Sequence, residues 1–349
     1  MKKNEIRLNV TLKNLIDEYI LNNEEISSRI LFEKYMKDVS SATLRIDLNK
    51  LEQCGYIWQP HTSAGRIPTV KGFKKYVEML GEELDDVSYP RLDNLRELLI
   101  NNYKDTPLGL HYIIQILAQE SDQLSFVAEP EISNGILSNI EVFNISKNKL
   151  LFVVSLDSGM DKTVILNCKY DINEQQLKKL VKYVRDEYLG LRIYDIINKY
   201  LSEMIEEKDE PASLLNLFLN ELHKALVEIS GYFIHFDGNM AFIEQPEFDN
   251  KENIMKFFNI IQRQDLLINT MQENDNDSNY EVLMGDQLND GLWHEFVLIY
   301  AKYELFDIPG YLGIISPLRN DYRKNISMVR DIAKTITETT RRGRIVPKF

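Results

Sequence analysis

The sequence predicts an α+β fold headed by a winged helix-turn-helix, and three observations carry that prediction. Three short amphipathic helical stretches crowd into the first 54 residues. A strand–loop–strand with a small polar tip follows them at once. Beyond it, helical periodicity alternates with runs of β-branched and aromatic residues. At roughly 150 residues per domain, a chain of 349 residues divides into two or three domains.

The elements follow in order. Residues 6–22 carry Leu8, Leu12, Leu15, Ile16 and Tyr19 at helical spacing, which gives one buried face. A second helix is read over Ser27–Tyr35, and a turn passes through Lys37 and Asp38. A third runs from Ser41 to Cys54, with Leu44, Leu48 and Leu51 at i, i+4 and i+7 and with Gly55 where a C-terminal cap belongs. Tyr56–Trp58 reads as a strand, His61–Arg66 as a turn, and Ile67–Thr69 as the return strand. Helical spacing resumes over 72–80. The acidic run Glu82–Asp86 through Pro90 reads as a linker or a solvated helix end, and a long helical region covers 91–122. Strands are expected at 136–145, 149–156 and 163–169, joined by loops that suit an antiparallel meander. Helices are expected at 173–205, 212–230 and 251–271, with a short hairpin around Asp237–Asn239. A polar loop spans Glu273–Asn279. Three strands near 280–284, 296–303 and 311–316 then precede a last helix at 321–340, and the basic end Arg341–Arg344 is expected to fray.

The charge is unevenly distributed. The chain carries −13 overall, yet residues 1–80 hold a balance of +3, which leaves −16 for the rest. A mildly basic head on an acidic body can aim one face at phosphates. No apolar run approaches the ~18 residues of a membrane helix, and the first ten residues lack the apolar segment of a secretory leader. Two isolated cysteines, Cys54 and Cys168, offer no disulfide framework and suit a reducing cytoplasm, so a cytoplasmic protein is expected.

A helix that reads DNA needs a sealed face to fix it and a polar face to touch bases and phosphates. On 41–54 the leucines supply the first; Ser41, Thr43, Arg45, Asn49 and Lys50 supply the second. Either Ser40 or Ser41 caps the helix, which leaves the other near an N-terminus that favours phosphate. Arg45 suits a bidentate pair with guanine or a clamp on a phosphate; Asn49 suits a base or a phosphate. Such a helix by itself would equally serve packing in any helical domain. The adjoining tip, with His61, Thr62, Ser63 and the cation Arg66, tilts the reading toward DNA, because a small polar loop fits a minor groove or backbone.

These residues resemble a known family. Val39–Arg45 followed by Leu51–Tyr56, and above all Gln59–Thr69 (QPHTSAGRIPT), look like the heat-inducible transcription repressor HrcA family. Gln245–Phe248, Gly313–Pro317, Arg319, Asp321 and Tyr322 match further signatures in the same order. The sequence departs from the family at Glu25–Leu31, at Ser316–Asn320, and at Ile46, which stands where the family commonly has Asn; one contact expected of the family is weakened there. The resemblance implies a winged helix-turn-helix (1–80), a linker or helix (81–104), a GAF-like domain (105–170 and 279–349) and a dimerisation domain inserted at 171–278. It also implies a homodimer that represses groE and dnaK chaperone operons by binding the inverted-repeat CIRCE operator, is released on heat shock, and has the chaperonin GroEL as partner. A two-fold operator calls for a two-fold protein with two reading helices.

Other chemistries find less support. His61, His111, His223, His235 and His294 form no HExxH pair. Asp275, Asp277 and Asn279 imitate the start of a calcium loop, but Tyr280 sits where such a loop needs Gly, and a plain polar loop is the simpler reading. No P-loop, GxGxxG or GxSxG is present, so no catalytic residue, cofactor or metal is expected, and the protein is not expected to be an enzyme. The alternatives are a small-molecule-gated regulator that uses the GAF-like domain as sensor, and an enzyme appended to a DNA-binding head.

Overall fold

The computed structural model describes residues 3–61, 64–84, 89, 96–97, 106–129, 135–146, 148–157, 161–167, 173–196, 198, 216–221, 234–238, 240–276, 278–288, 293–305 and 308–343. The head forms as the local signals direct. Helix α1 (Lys3–Asn22) buries Leu12, Leu15 and Ile16. Helix α2 (Ser28–Lys34) is capped by the Ser27 hydroxyl, which accepts from the Ile30 N–H, and α3 (Ser41–Gln53) is capped in the same way by Ser40. A two-stranded wing, β1 (Ile57–Trp58) and β2 (Ile67–Pro68), and helix α4 (Val70–Leu84) complete it. At the end of α3 the Gly55 N–H donates to Glu52 and the Tyr56 N–H to Leu51. This close holds Gly55 at φ 75, a conformation in which a Cβ would be strained.

The body has two sheets. After α5 (Thr106–Ser121) comes β3 (Leu124–Ala128), and the chain then leaves to build β4 (Leu137–Ser146), β5 (Lys149–Leu156), β6 (Asp161–Asn167) and α6 (Glu174–Tyr188). It returns as β7 (Ile234–Asp237), a short α7 (Met240–Ile243), a 3-10 turn at Pro246–Phe248, α8 (Lys251–Gln262) and α9 (Gln264–Glu273). Strands β8 (Glu281–Met284), β9 (Phe296–Leu305) and β10 (Ile308–Pro317) and helix α10 (Tyr322–Gly343) follow. The larger sheet is antiparallel in the order β7-β3-β10-β9-β8. One of its faces shares a core with α5, α10 and the head, through Val127, Ile299, Tyr303 and Ile314. The other packs Phe126, Tyr300 and Ile315 against Phe242, Phe248, Phe257 and Ile268 of the 240–273 helices. A sheet covered on both faces by helices suits the GAF-like expectation.

Several expectations change. Strands β4-β5-β6 do not join the large sheet; they form their own, with a separate core that includes Phe152, Leu180, Val184, Ile193 and Phe218. Strand pairing and core membership thus group 137–167 with α6, apart from the large sheet, and pack α8 and α9 against that larger sheet. Strand β3, inside a stretch read only as following a helix, is an interior strand of the large sheet; Asp237, where a hairpin was expected, ends edge strand β7, and Asn239 lies outside the described residues. The 173–205 helix breaks at Leu189–Gly190, where Gly190 has φ 85, and the 251–271 helix breaks at Arg263. Of the two readings of Glu82–Pro90, the helix end describes the segment through Leu84, where Glu83 pairs with Lys13 and Arg323; 85–88 and 90 lie outside the described residues. The strand expectation at 168–169, the helical expectations at 91–95, 98–105, 199–205, 212–215 and 222–230, and Cys168, His223 and Arg344 lie outside the described residues.

The head is joined to the body by a continuous core. Tyr322 is fully buried at the start of α10, with its ring 5.9 Å from Phe73 and 6.0 Å from Tyr76 of α4. Arg330 donates to the Leu84 carbonyl (2.7 Å), and Asp331 accepts the Tyr89 N–H (2.8 Å), so the end of α4 and the start of the connection are both held by α10.

Candidate nucleic-acid interface

Helix α3 is locked from below and open above. Leu44, Leu48 and Leu51 are buried, and so is Asp47. The Asp47 carboxylate receives Arg7 Nε and Nη2 at 2.6 and 2.9 Å, a bidentate pair that joins α1 to α3. Asp47 raises the Arg7 guanidinium above its ordinary range by accepting these hydrogen bonds. The pair fixes the rotation of α3 about its axis, and Ala42, Arg45, Ile46, Asn49 and Lys50 are left exposed on the outside.

The candidate residues fall into distinct groups. Ser40, not Ser41, is the cap: its Oγ accepts the Thr43 N–H at 3.1 Å and lies 2.9 Å from the Thr43 hydroxyl. Ser41 is therefore the residue free at the first turn, and it is half-buried. Arg45, Asn49 and Lys50 share the exposed face. His61 is exposed, and its carbonyl closes the wing turn by accepting the Ala64 N–H. Thr62 and Ser63 lie outside the described residues.

Arg66 departs from the role of a wing-tip cation. Its Nη2 donates to Asn49 Oδ1 at 2.9 Å and its Nε lies 3.4 Å from Glu52 Oε2, with only 17% of the side chain exposed. Its backbone bonds reciprocally with Ile26, and the neighbouring Gly65 N–H donates to Glu25. A Cβ on Gly65 would come within 2.6 Å of the Glu25 carbonyl carbon, so the wing crosses the Glu25–Ile26 segment too closely for any other residue. Arg66 thus braces the wing against α3 and sets the Asn49 amide.

Sequence reasoning missed Arg7, Asp47, Glu25 and Glu52. One signal was available: Asp47 falls on the leucine stripe, and a carboxylate on a buried face demands a cation. No group of His, Cys, Asp or Glu able to hold a metal occurs among the described residues. No helix there is long and apolar enough to cross a membrane.

A winged helix-turn-helix with one sealed and one exposed polar face, set on an α+β body, defines a DNA-reading regulator. Comparison with known proteins gives the family. The model described as HrcA protein C terminal domain matches residues 109–326. The heat-inducible transcription repressor HrcA of Natranaerobius thermophilus is 29% identical over 338 residues, covering 93% of this chain and 94% of that protein. That of Chlorobium phaeobacteroides is 25% identical over 335 residues, covering 93% and 95%. A crystal structure of a hypothetical protein at 2.2 Å resolution shares the fold, with TM-score 0.61, 21% identity and coverage of 95% of this chain and 98% of that one. The chain belongs to the HrcA family of heat-inducible transcription repressors.

Proposed function

We propose that this chain represses the class I heat-shock operons (groE and dnaK) by binding the inverted-repeat CIRCE operator as a homodimer, and that heat shock releases it. The observation that carries the reading is the exposed side of α3: Arg45, Asn49 and Lys50 are all exposed there, while buried Asp47 is clamped to Arg7. Recognition of a base edge requires a donor held at a fixed azimuth, and this clamp supplies one. Ser41 and Thr43, near the helix N-terminus, are placed for a phosphate. In the wing, His61, Thr62 and Ser63 are the proposed backbone contacts, and Arg66 acts chiefly by holding Asn49. GroEL is the partner proposed to keep the repressor active. Residues 1–80 form the reading head in this proposal, the large sheet with its helices forms the GAF-like domain, and the unit built on β4–β6 and α6 is the inserted dimerisation domain. Cytoplasmic location accords with an operator as target.

The test is operator binding by fluorescence anisotropy, with CIRCE against a scrambled duplex. Arg45→Ala should cost about 1–3 kcal/mol if the residue reads a base, whereas Lys50→Ala should mainly lower the salt slope by about 1. If Arg45→Ala and Arg66→Ala both bind CIRCE as wild type does while folded and dimeric, the site is placed wrongly.

A further inference from the structure

We propose that Ile46, with Ala42 one turn before it, forms an apolar contact that reads the C5-methyl group of one thymine in each operator half-site. The inference rests on the DNA-reading assignment of α3. Ile46 is 54% exposed. Single exposed aliphatic residues are ordinary on protein surfaces, so exposure by itself says nothing. The position is what matters. Ile46 lies in the middle of the reading face, with exposed Ala42 one turn before it and exposed Asn49 and Lys50 one turn after it. Asn49 is tied to Arg66, and Asp47, next in the chain, is tied to Arg7. Both neighbours are therefore held, and Ile46 cannot rotate out of the face as α3 enters a groove.

Its chemistry allows one kind of base contact. An isoleucine neither donates nor accepts a hydrogen bond, and the one apolar group on the base edges of the major groove is the thymine methyl. The β-branched side chain is stiff at χ1, so it meets that methyl with little conformational entropy to lose. A polar residue at this site would instead read a donor or acceptor, so Ile46 would narrow the choice at one base pair to thymine.

Uracil in place of thymine removes the methyl and nothing else. The experiment walks single deoxyuridine substitutions along the thymines of the CIRCE duplex and measures wild type, Ile46→Ala and Ile46→Asn by anisotropy, with mass followed by light scattering. The loss of one buried methyl should weaken wild type about fourfold in one half-site and about fifteenfold in both. Ile46→Asn should bind the thymine and uracil forms of that position equally, and Ile46→Ala should show a smaller difference than wild type. The proposal is overturned if the variants keep the wild-type response at every position. It is also overturned if Ile46→Ala changes the mass without changing the thymine–uracil difference, since Ile46 would then contact a second copy. Wild type that binds CIRCE no better than a scrambled duplex overturns the operator reading as well.

Discussion

Arg319 donates from Nε and Nη2 to the two carboxylate oxygens of Glu247, at 2.5 and 3.0 Å, and its Nη1 reaches the Ile20 carbonyl at 3.4 Å. One guanidinium therefore ties the 3-10 turn beside α8, the end of β10 and the last turn of α1. Glu247 lies within the Gln245–Phe248 signature, and Arg319 follows the Gly313–Pro317 signature. Two stretches distant in sequence thus meet in one ion pair that touches the reading head.

The geometry makes lysine a poor substitute for Arg319. An ammonium offers no planar fork to the carboxylate and cannot also reach Ile20. Arg319→Lys should destabilise the protein by about 1–2 kcal/mol in urea unfolding. It should also speed amide exchange at the end of α1 more than in β9. Equal exchange in both segments would mean that Arg319 does not hold the head.

The Arg7–Asp47 pair predicts an asymmetry. Asp47 is fully buried, whereas 27% of the Arg7 side chain is exposed. Arg7→Ala leaves a carboxylate stranded in the core of the head and should cost about 3 kcal/mol. Asp47→Ala leaves a cation that can turn into water, so it should cost about half as much. Denaturant midpoints of the two variants, compared at equal slope, check the order.

Glu18 and Tyr35 both contribute to the pH dependence of the head's stability. Burial opposes the charge on Glu18, but Lys34, Tyr35 and Asn22 all donate to it and hold its carboxyl below the usual range. A carboxyl lowered by folding stabilises above its unfolded pKa of about 4.3, and this contribution fades as pH falls through the folded value. Tyr35 is pushed up to about 12, first by its hydrogen bond to Glu18. Its contribution is full below the unfolded value near 10 and is lost as pH rises toward about 12. Glu18→Gln should flatten both limbs of a stability–pH curve, because it removes both partners' shift. A variant with unchanged limbs would separate the two residues.

The head was legible because its signals are local. Ser27 and Ser40 cap their helices, the leucines of α3 repeat at the helical period, and Gly55 closes it. The sheets were less legible because pairing is not local. Strand β3, LSFVA, is buried at all five positions, so it lacks the alternation that marks a strand, and only Asp122, at φ 55, and Gln123 separate it from α5. Strand β5 alternates half-buried and buried residues, which marks a sheet with one sealed face, but nothing in the sequence says which sheet. The partners of Arg66 were hidden for a related reason. A cation in a polar loop reads as free until the fold brings Asn49 and Glu52 beside it.

Tyr322 predicts how head and body unfold. It is fully buried, it packs between Phe73 and Tyr76, and its hydroxyl donates to the Leu318 carbonyl at 2.7 Å. Burial, with the neighbouring Tyr76 adding to it, raises its phenol well above the ordinary value, so it stays protonated at any working pH. Tyr322→Phe removes the hydroxyl and leaves one acceptor unpaired, and should cost about 1 kcal/mol. Tyr322→Ala opens a cavity between α4 and α10 and should cost about 3–5 kcal/mol. The loss should fall at the junction, because this ring is shared by both sides of the core. Scanning calorimetry of wild type should show head and body melting together, and Tyr322→Ala should split the transition, with the Phe73 side melting first. A single transition merely shifted downward would show that the junction does not depend on this ring, and that Arg319, Arg330 and Asp331 hold head to body without it.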